Sequence, residues 1–313
     1  MTTTSRIPSV GFIGLGVMGE PMASHLSRAG HRMVLFDVRE GVAARLAATL
    51  DGARAASTPA EVARLGDIVI TMVPNGDVVR QLVEGPDGLH AGFETGKLLL
   101  DTSSSEPWLT RASGALLAAK GVAMVDAPVS GAQWGAQAAE LVFMVGGEPA
   151  DVERVRPLLD VMGRAVFHLG PLGAGHAMKC LNNLVTSINF LAVSEGLVIG
   201  KRQGLDPSVM IDVLNESTGM SWISKTHIQQ RVINRTFDDP FKLALMLKDI
   251  GIATELGRLD QLPTPLSALT QQLWRAAALA NTPDASVSEL ARWVETMTAT
   301  EISSPNAARP GEA

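Results

Sequence analysis

Residues 10–19 read VGFIGLGVMG and decide the fold of the first half of the chain. An apolar, strand-like start runs into Gly14, Gly16 and Gly19, and a helical pattern follows at 20–29. Glycines spaced G-x-G-x-x-G between a strand and a helix are typical of a turn that binds the pyrophosphate of a dinucleotide. The first glycine permits the tight bend, the second lets the phosphates approach, and the third lets helix and strand pack closely. The spacing alone leaves open an ordinary glycine-rich turn.

An acidic residue ends the next strand-like segment, 32–37. Asp37 lies 18 positions past Gly19, where an acid that binds the adenosine ribose is expected. Its carboxylate would accept hydrogen bonds from ribose hydroxyls and repel a 2′-phosphate, which predicts a preference for NAD over NADP. Arg39 is close enough in sequence to meet a 2′-phosphate, so NADP stays possible.

Strand-like and helical segments alternate through the first half, with further strand-like runs at 67–73, 97–102 and 122–126. Such alternation predicts a parallel sheet covered by helices on both faces. After residue 175 the strand-like runs end, and helical segments follow at 175–203, 207–214, 241–256, 265–280 and 287–297. We therefore predict a nucleotide-binding domain at 1–172, a helical domain at 173–302 and a disordered tail at 303–313.

The composition excludes several classes of protein. The 313 residues carry a net charge of −6, with 46% apolar and 19% charged residues, which argues against a disordered chain and a nucleic-acid footprint. The one cysteine, Cys180, excludes an internal disulfide and favours a reducing compartment. Residues 1–8 lack an apolar leader, and polar residues interrupt the apolar stretch 184–200. We therefore expect a soluble cytoplasmic protein with no membrane or nucleic-acid partner.

A strand-like run ends at Asp126 and continues as DAPVSGAQWG, residues 126–135. The Ser130 hydroxyl and the N–H groups of the small residues after it are suited to hold a substrate carboxylate, as a backbone nest holds an anion. An ordinary tight turn accounts for the same residues equally well.

The segment GAGHAMKCLNN, residues 173–183, places Lys179 and Asn183 on one helix face, and His176 extends the same polar stripe. A solvated stripe is the common explanation for such a lysine. The helix beyond residue 184 is too apolar to lie on a surface, however, so we expect this stripe to face a cleft. Loss of hydration lowers the pKa of an ammonium group, which suits a general acid/base. A metal site is not expected, because no carboxylate or histidine pair stands near His176 at ligand spacing.

Lys248 and Asp249 are the only charged residues between Leu243 and Thr254. An ion pair within the helix or a role in helix capping would explain these two charges. A cation that faces substrate or cofactor would explain them equally well.

These segments together resemble the β-hydroxyacid dehydrogenase family, whose members include 3-hydroxyisobutyrate dehydrogenase and, more distantly, 6-phosphogluconate dehydrogenase. Five motifs occur in the order of the family: GFIGLGVMG from Gly11, LLLDTSSSEP from Leu98, DAPVSGA from Asp126, GAGHAMKCLNN from Gly173 and LKDIGIA from Leu247. The resemblance implies an α/β fold with a Rossmann-type N-terminal domain, a long interdomain helix and an all-α C-terminal domain that serves dimerisation and substrate closure. It also implies NAD as cofactor, with NADP possible, a small hydroxy acid or semialdehyde as substrate, and a homodimer or homotetramer.

The resemblance further implies roles for single residues. Lys179 is the implied general acid/base, and Asn183 orients the reacting hydroxyl. The implied substrate-binding residues are Ser130, Gly131 and Ala132, with Trp222 of the segment 217–222 on the far side of the pocket. The implied cofactor-binding residues are Gly14, Gly16, Val17, Met18, Gly19, Asp37, Val73, Pro74, Thr102 and Lys248.

One position departs from the family pattern. Where the family usually has a second glycine, this chain has Ala132, followed by Gln133 and Trp134. The added methyl narrows the implied carboxylate pocket and leaves the substrate open among 3-hydroxyisobutyrate, serine, glycerate and larger or sulfonated relatives. An imine reductase of the same architecture and a non-catalytic NAD-binding protein remain as alternatives. Both generally lack the family lysine, so Lys179 favours the dehydrogenase.

Overall fold

The computed structural model describes residues 8–304. The predicted lack of a leader in residues 1–8 and the predicted disorder beyond residue 304 therefore concern segments that lie almost wholly outside the described residues. The chain divides into two compact units, Met1–Lys179 and Cys180–Ala313. The division falls inside one long helix, Ala174–Arg202, which contributes its first turns to one unit and the remainder to the other.

The first unit is built on a sheet that has nine strands among the described residues, in the order β3-β2-β1-β4-β5-β6-β8-β7, with β9 beside β8. The strands are β1 (Val10–Ile13), β2 (Met33–Phe36), β3 (Arg54–Ala55), β4 (Ile68–Thr71), β5 (Leu98–Asp101), β6 (Ala123–Asp126), β7 (Val129–Ser130), β8 (Leu141–Gly146) and β9 (Gly163–Gly170). Strands β1 to β6 pair parallel with one another. The chain order changes direction between β1 and β4, and ligands of open α/β sheets bind outside the carboxyl ends of strands at such a switch point.

Helices cover this sheet because its central strands are apolar on both faces. Successive residues of a strand point to opposite faces: Ile68 and Ile70 of β4 join one hydrophobic cluster and Val69 joins another. The helices of this unit are α1 (Gly19–Arg28), α2 (Val42–Ala47), α3 (Pro59–Leu65), α4 (Gly76–Glu84), α5 (Leu89–Gly92), α6 (Pro107–Ala118), α7 (Ala132–Ala138) and α8 (Pro149–Met162). The predicted α/β architecture is confirmed.

The last three strands extend the predicted parallel sheet. Strand β8 pairs antiparallel with β6 and β7, and β9 pairs parallel with β8. The predicted parallel sheet is confirmed for β1 to β6, whereas the antiparallel pairs of β8 were not predicted. Residues of β9 are only partly buried or exposed, so that strand lacks the apolar pattern by which the others are recognised.

The second unit is helical, as predicted. It contains most of α9 (Ala174–Arg202), then α10 (Pro207–Asn215), a π-helix (Ile223–Ile233), α11 (Leu243–Leu259), α12 (Pro265–Leu279) and α13 (Glu289–Thr298). Proline occupies the first turn of α10 and of α12, where its missing N–H costs nothing. Trp274 of α12 is fully buried, and its indole N–H lies 3.4 Å from the carbonyl oxygen of Ser187 in α9. The π-helix was not predicted.

Helix α9 is the one helix of the described residues that is long and apolar enough to cross a membrane, and 56% of that apolar window is buried inside the chain. A mostly buried core helix passes the same test. Near the end of α9, the side chain of Lys201 donates to the carbonyl oxygen of Ser303. The first residue of the predicted tail is therefore bonded to α9.

Candidate active site

The three glycines of the turn between β1 and α1 differ in the space that their surroundings leave for a side chain. Gly14 has φ +93°, in the left-handed region, and a Cβ there would overlap the carbonyl oxygen of Met72. A Cβ on Gly19 would likewise overlap the carbonyl oxygen of Gly14. A Cβ on Gly16, in contrast, would meet nothing within 4 Å. Gly14 and Gly19 are therefore required by the fold, whereas the space at Gly16 suits a group from outside the chain.

The main-chain donors at this turn fit the same purpose. The N–H groups of Gly16, Val17 and Met18 have no acceptor within residues 8–304, and the Val17 side chain is exposed. Donors at the start of a helix favour an anion, because the helix dipole adds a partial positive charge. The open space at Gly16 and these three donors together fit the pyrophosphate of a dinucleotide.

Asp37 lies directly after β2 and is held by several donors. Its Oδ1 accepts from the main-chain N–H and from Nε of Arg39, each at 2.9 Å. Its Oδ2 accepts from the Leu15 N–H at 2.8 Å and from Arg39 Nη2 at 3.0 Å. Burial alone raises the pKa of the Asp37 carboxyl, but the hydrogen bonds from Arg39 and Leu15 outweigh it and hold the pKa below its usual value. The predicted ribose-binding acid, Asp37, is therefore in direct contact with Arg39, the residue that could meet a 2′-phosphate.

The segments after β4 and β5 carry three further residues that the resemblance places beside the cofactor. The N–H of Val73 donates to Ser103 Oγ at 3.0 Å, and Pro74 is exposed. Thr102 is buried, and its hydroxyl and N–H both donate to the carbonyl oxygen of Thr71, at 2.7 and 2.9 Å. The hydroxyl and N–H protons of Thr102 are thus both used in hydrogen bonds within the sheet. Val73 and Pro74 are more accessible than Thr102.

The loop from β7 to α7 contains the predicted carboxylate-binding residues. Gly131 has φ +135° and Ala132 has φ +52°, so two consecutive residues adopt positive φ. Their N–H groups have no acceptor within residues 8–304. Ser130 is half-buried and Ala132 is exposed. The loop thus presents a hydroxyl and two main-chain donors, as an anion-binding concavity requires.

Lys179 and Asn183 lie one turn apart on α9, on the same helix face. Lys179 is half-buried and Asn183 is buried. The Asn183 amide donates through Nδ2 to Asp249 Oδ2 at 2.6 Å, and its Oδ1 accepts from Asn182 Nδ2 at 3.1 Å. The bond to the Asp249 carboxylate determines the orientation of the amide, and no hydrogen bond described within residues 8–304 uses the second Nδ2 proton of Asn183.

Asp249 itself is almost fully buried. Its Oδ1 has no hydrogen-bond partner among the described residues, although Lys248 Nζ lies 3.3 Å away. The ammonium group therefore supplies charge to the carboxylate without the geometry of a hydrogen bond. Lys248 was predicted to lie along the cofactor, and the structure places it beside the carboxylate that holds Asn183.

Trp222 lies just before the π-helix and is 59% exposed. Its ring is 4.7 Å from that of His227, centroid to centroid, and His227 pairs with the carboxylate of Asp239. Burial raises the pKa of Asp239, but the hydrogen bond and charge of His227 outweigh it and lower the pKa. Neither His227 nor Asp239 was predicted, because a single histidine and a single aspartate 12 positions apart form no recognisable motif.

The donors at the glycine turn, the ordered acid after β2 and the switch point between β1 and β4 define a dinucleotide-binding α/β protein. Within residues 8–304, no group of three or more His, Cys, Asp or Glu residues is arranged to hold a metal ion. Residues 9–170 match the family model of the NAD binding domain of 6-phosphogluconate dehydrogenase. Residues 173–294 match the model of the NAD-binding region of NADP-dependent 3-hydroxyisobutyrate dehydrogenase.

Whole-chain relatives agree with these matches. The chain is 34% identical to 2-(hydroxymethyl)glutarate dehydrogenase of Eubacterium barkeri over 94% of this chain and 97% of that one. It is 37% identical to 3-hydroxyisobutyrate dehydrogenase of Pseudomonas aeruginosa, over 87% and 93%. The solved structure of Mycobacterium tuberculosis 3-hydroxyisobutyrate dehydrogenase with L-serine superimposes with a TM-score of 0.85 at 32% identity, covering 92% of this chain and 99% of that one. The chain belongs to the β-hydroxyacid dehydrogenase family and is an NAD(P)-dependent dehydrogenase, which confirms the resemblance and the predicted cofactor.

Proposed function

We propose that the protein oxidises a small 3-hydroxy acid with a preference for NAD and that it also catalyses the reverse reduction of the semialdehyde. One observation carries this proposal: Lys179 lies one helical turn before an asparagine whose amide is oriented by Asp249. An amine that exchanges a proton and a fixed amide that holds an oxygen are the two groups that oxidation of an alcohol needs from the protein. The bound nicotinamide supplies the hydride acceptor.

In this proposal each residue acts on a different part of the substrate. The neutral amine of Lys179 takes the proton of the C3 hydroxyl, and the free Nδ2 proton of Asn183 is donated to the same oxygen. The Ser130 hydroxyl and the N–H groups of Gly131 and Ala132 bind the carboxylate. Because these groups hold both ends of a short molecule, much of the rate enhancement would come from positioning.

The names of the relatives support a substrate class and not a single compound. The relatives are named for 2-(hydroxymethyl)glutarate and 3-hydroxyisobutyrate, and the M. tuberculosis structure was solved with L-serine. All three molecules carry a hydroxymethyl group on the carbon next to a carboxylate. We propose this arrangement as the feature that the substrate shares with them.

A substrate screen combined with one substitution tests the proposal. Purified protein is assayed with NAD and NADP against 3-hydroxyisobutyrate, L-serine, glycerate, 2-(hydroxymethyl)glutarate and a cyclic imine, the last being the substrate class of the alternative reductase. Lys179→Ala should lower kcat by about 10²–10⁴-fold, the usual contribution of an acid/base, while the Kd for NAD stays unchanged. The matched control is Lys201→Ala, at the far end of the same helix. Retention of more than half the activity by Lys179→Ala would exclude the assignment.

We further propose a cytoplasmic homodimer or homotetramer. Helices of the second unit expose large apolar side chains: Val185 and Ile199 on α9, Val209 and Val213 on α10, and Leu266 and Leu269 on α12. Extensive exposed apolar surface on a protein usually meets a partner.

A further inference from the structure

Three titratable side chains that the proposed function does not use are fully buried together in the first unit: Asp101 at the end of β5, Asp126 at the end of β6, and His176 in the first turn of α9. Burial of charged groups is costly unless they are paired and hydrogen-bonded. His176 precedes Lys179 by three residues, so this cluster lies directly under the start of the helix that carries the proposed acid/base.

Asp126 ties α9 to the sheet. Its Oδ1 accepts from the Gly173 N–H at 2.7 Å and its Oδ2 from the His176 N–H at 2.8 Å. A Cβ on Gly146 would lie 2.5 Å from Oδ1, and one on Gly175 would lie 2.9 Å from Oδ2. Burial raises the pKa of Asp126, and the charge of His176 and these two N–H donors oppose that rise. Because each oxygen already accepts a main-chain proton, the geometry suits the ionised carboxylate.

Asp101 ties together the segments that follow β4 and β5. It accepts from Thr71 Oγ1 at 2.9 Å, from the Ser103 N–H at 3.0 Å and from Ser105 Oγ at 3.1 Å. Ser103 Oγ in turn accepts from the N–H of Val73, one of the proposed cofactor residues. The end of β5 therefore positions part of the proposed cofactor site.

The imidazole of His176 lies between the two carboxylates. Its Nε2 is 3.0 Å from the carbonyl oxygen of Ser103, which can only accept a proton. Its Nδ1 is 2.8 Å from Thr110 Oγ1, and the same hydroxyl lies 3.2 Å from the carbonyl oxygen of Glu106, to which it can donate its one proton. When Thr110 donates to Glu106, both ring nitrogens of His176 face acceptors. Asp101 and Asp126 lie 3.7 and 3.6 Å from the ring nitrogens and supply the countercharge.

We propose that His176 is a positioning residue, held as an imidazolium, that fixes the first turn of α9 to the carboxyl ends of β4, β5 and β6. Lys179 is attached to that turn, and the residues after β4 belong to the proposed cofactor site. The imidazolium thus sets the distance between the acid/base and the cofactor. The positional part rests on the proposed function of Lys179, whereas the charge state of the ring does not.

The charge state is tested first, on the whole unliganded protein at neutral pH. Nitrogen-15 NMR of the histidine rings distinguishes an imidazolium, in which both nitrogens carry protons, from a neutral ring, and His176→Gln assigns the signal. The expected result is a doubly protonated ring. A neutral ring with one unprotonated nitrogen would overturn the proposed charge state.

The positional role is tested by separating kcat from cofactor binding. His176→Gln retains a donor without the charge, and Thr110→Val removes one acceptor with little change in volume. Both should lower kcat, by up to about 10²-fold if the acid/base moves by 1 Å, while the Kd for NAD changes little. The control is Val155→Ala, a buried substitution in α8 of the same unit that lowers stability without touching the cluster.

The outcomes separate this inference from the proposed function. An unchanged kcat in both folded variants, with Lys179→Ala inactive, would overturn the positioning role alone. An active Lys179→Ala would overturn the proposed function and leave the NMR result standing. If His176→Gln does not fold, Thr110→Val decides the positioning role by the same measurement.

Discussion

Replacement of Ala132 by glycine tests the structure and the proposed substrate site at once. Ala132 begins α7 with φ +52°, a left-handed conformation that an alanine rarely adopts. That conformation costs a residue with a Cβ about 1–2 kcal/mol, and glycine avoids this cost. Glycine also makes the unfolded chain more flexible, which costs about 0.4–1 kcal/mol. Ala132→Gly should therefore leave the protein equally stable or stabilise it by roughly 1 kcal/mol at most.

The same helix offers a matched control. Ala139, the residue after α7, has φ +57° and is also left-handed. Ala139→Gly should have the same effect on stability, because the same backbone strain is relieved. Ala44, inside the right-handed helix α2, should instead lose about 1 kcal/mol when replaced by glycine. Urea unfolding of the three variants, compared at equal m-value, measures these differences.

Substrate preference then separates the two left-handed positions. Removal of a methyl from a tight pocket is worth about 1–3 kcal/mol, or roughly 10–200-fold in discrimination. Ala132→Gly should raise kcat/KM for 3-hydroxyisobutyrate or serine relative to larger hydroxy acids, whereas Ala139→Gly should leave the ratios unchanged. If Ala132→Gly destabilises the protein as much as Ala44→Gly does, the left-handed conformation of Ala132 carries no backbone strain. If the ratios of kcat/KM between substrates are unchanged in Ala132→Gly, substrate specificity depends on other residues, and Gln133, Trp134 and Trp222 are the next to test.

Further predictions concern the cofactor site, the second unit and the buried cluster. Asp37→Asn should narrow the preference for NAD over NADP measured as a ratio of kcat/KM, and a wild-type preference for NADP would contradict the role of Asp37. Asp249→Asn should lower kcat by about 10²-fold, since it permits the Asn183 amide to flip; full activity would show that the amide is held by other groups. Asp126→Asn should destabilise the protein by about 1–3 kcal/mol in urea, because its amide nitrogen would face a main-chain donor. Light scattering at micromolar concentration should show at least a dimer, and a monomer would contradict the proposed assembly.

Much of the fold follows from local sequence. Strands such as β4 and β5 are continuous apolar runs, which is how strands buried on both faces appear. The glycine turn is recognisable because the backbone requires Gly14 and Gly19, and the third glycine, Gly16, stands where the pattern predicts a ligand. In contrast, β3 and β7 have two residues each and carry no periodicity. Strand β9 is largely exposed, so its sequence does not show the alternation of a buried strand.

The candidate site is less predictable, because its chemistry depends on partners distant in the chain. The sequence pattern places His176 on the polar stripe of Lys179, yet the ring is fully buried and contacts residues up to 73 positions away. Asp37 and Arg39 are each readable as cofactor residues, but only the structure shows that one side chain holds the other.

The pairing of Asn183 with Asp249 shows why the orientation of one amide matters to the proposed chemistry. An asparagine amide can rotate by half a turn and exchange its donor for its acceptor. Asp249, as a carboxylate, can only accept, so it selects the orientation in which Nδ2 of Asn183 faces it, and the Asn183 oxygen then accepts from Asn182. In that orientation the remaining group of Asn183 is a donor. A substrate hydroxyl that accepts this proton must give its own proton to another base, and Lys179 lies one turn away on the same helix face.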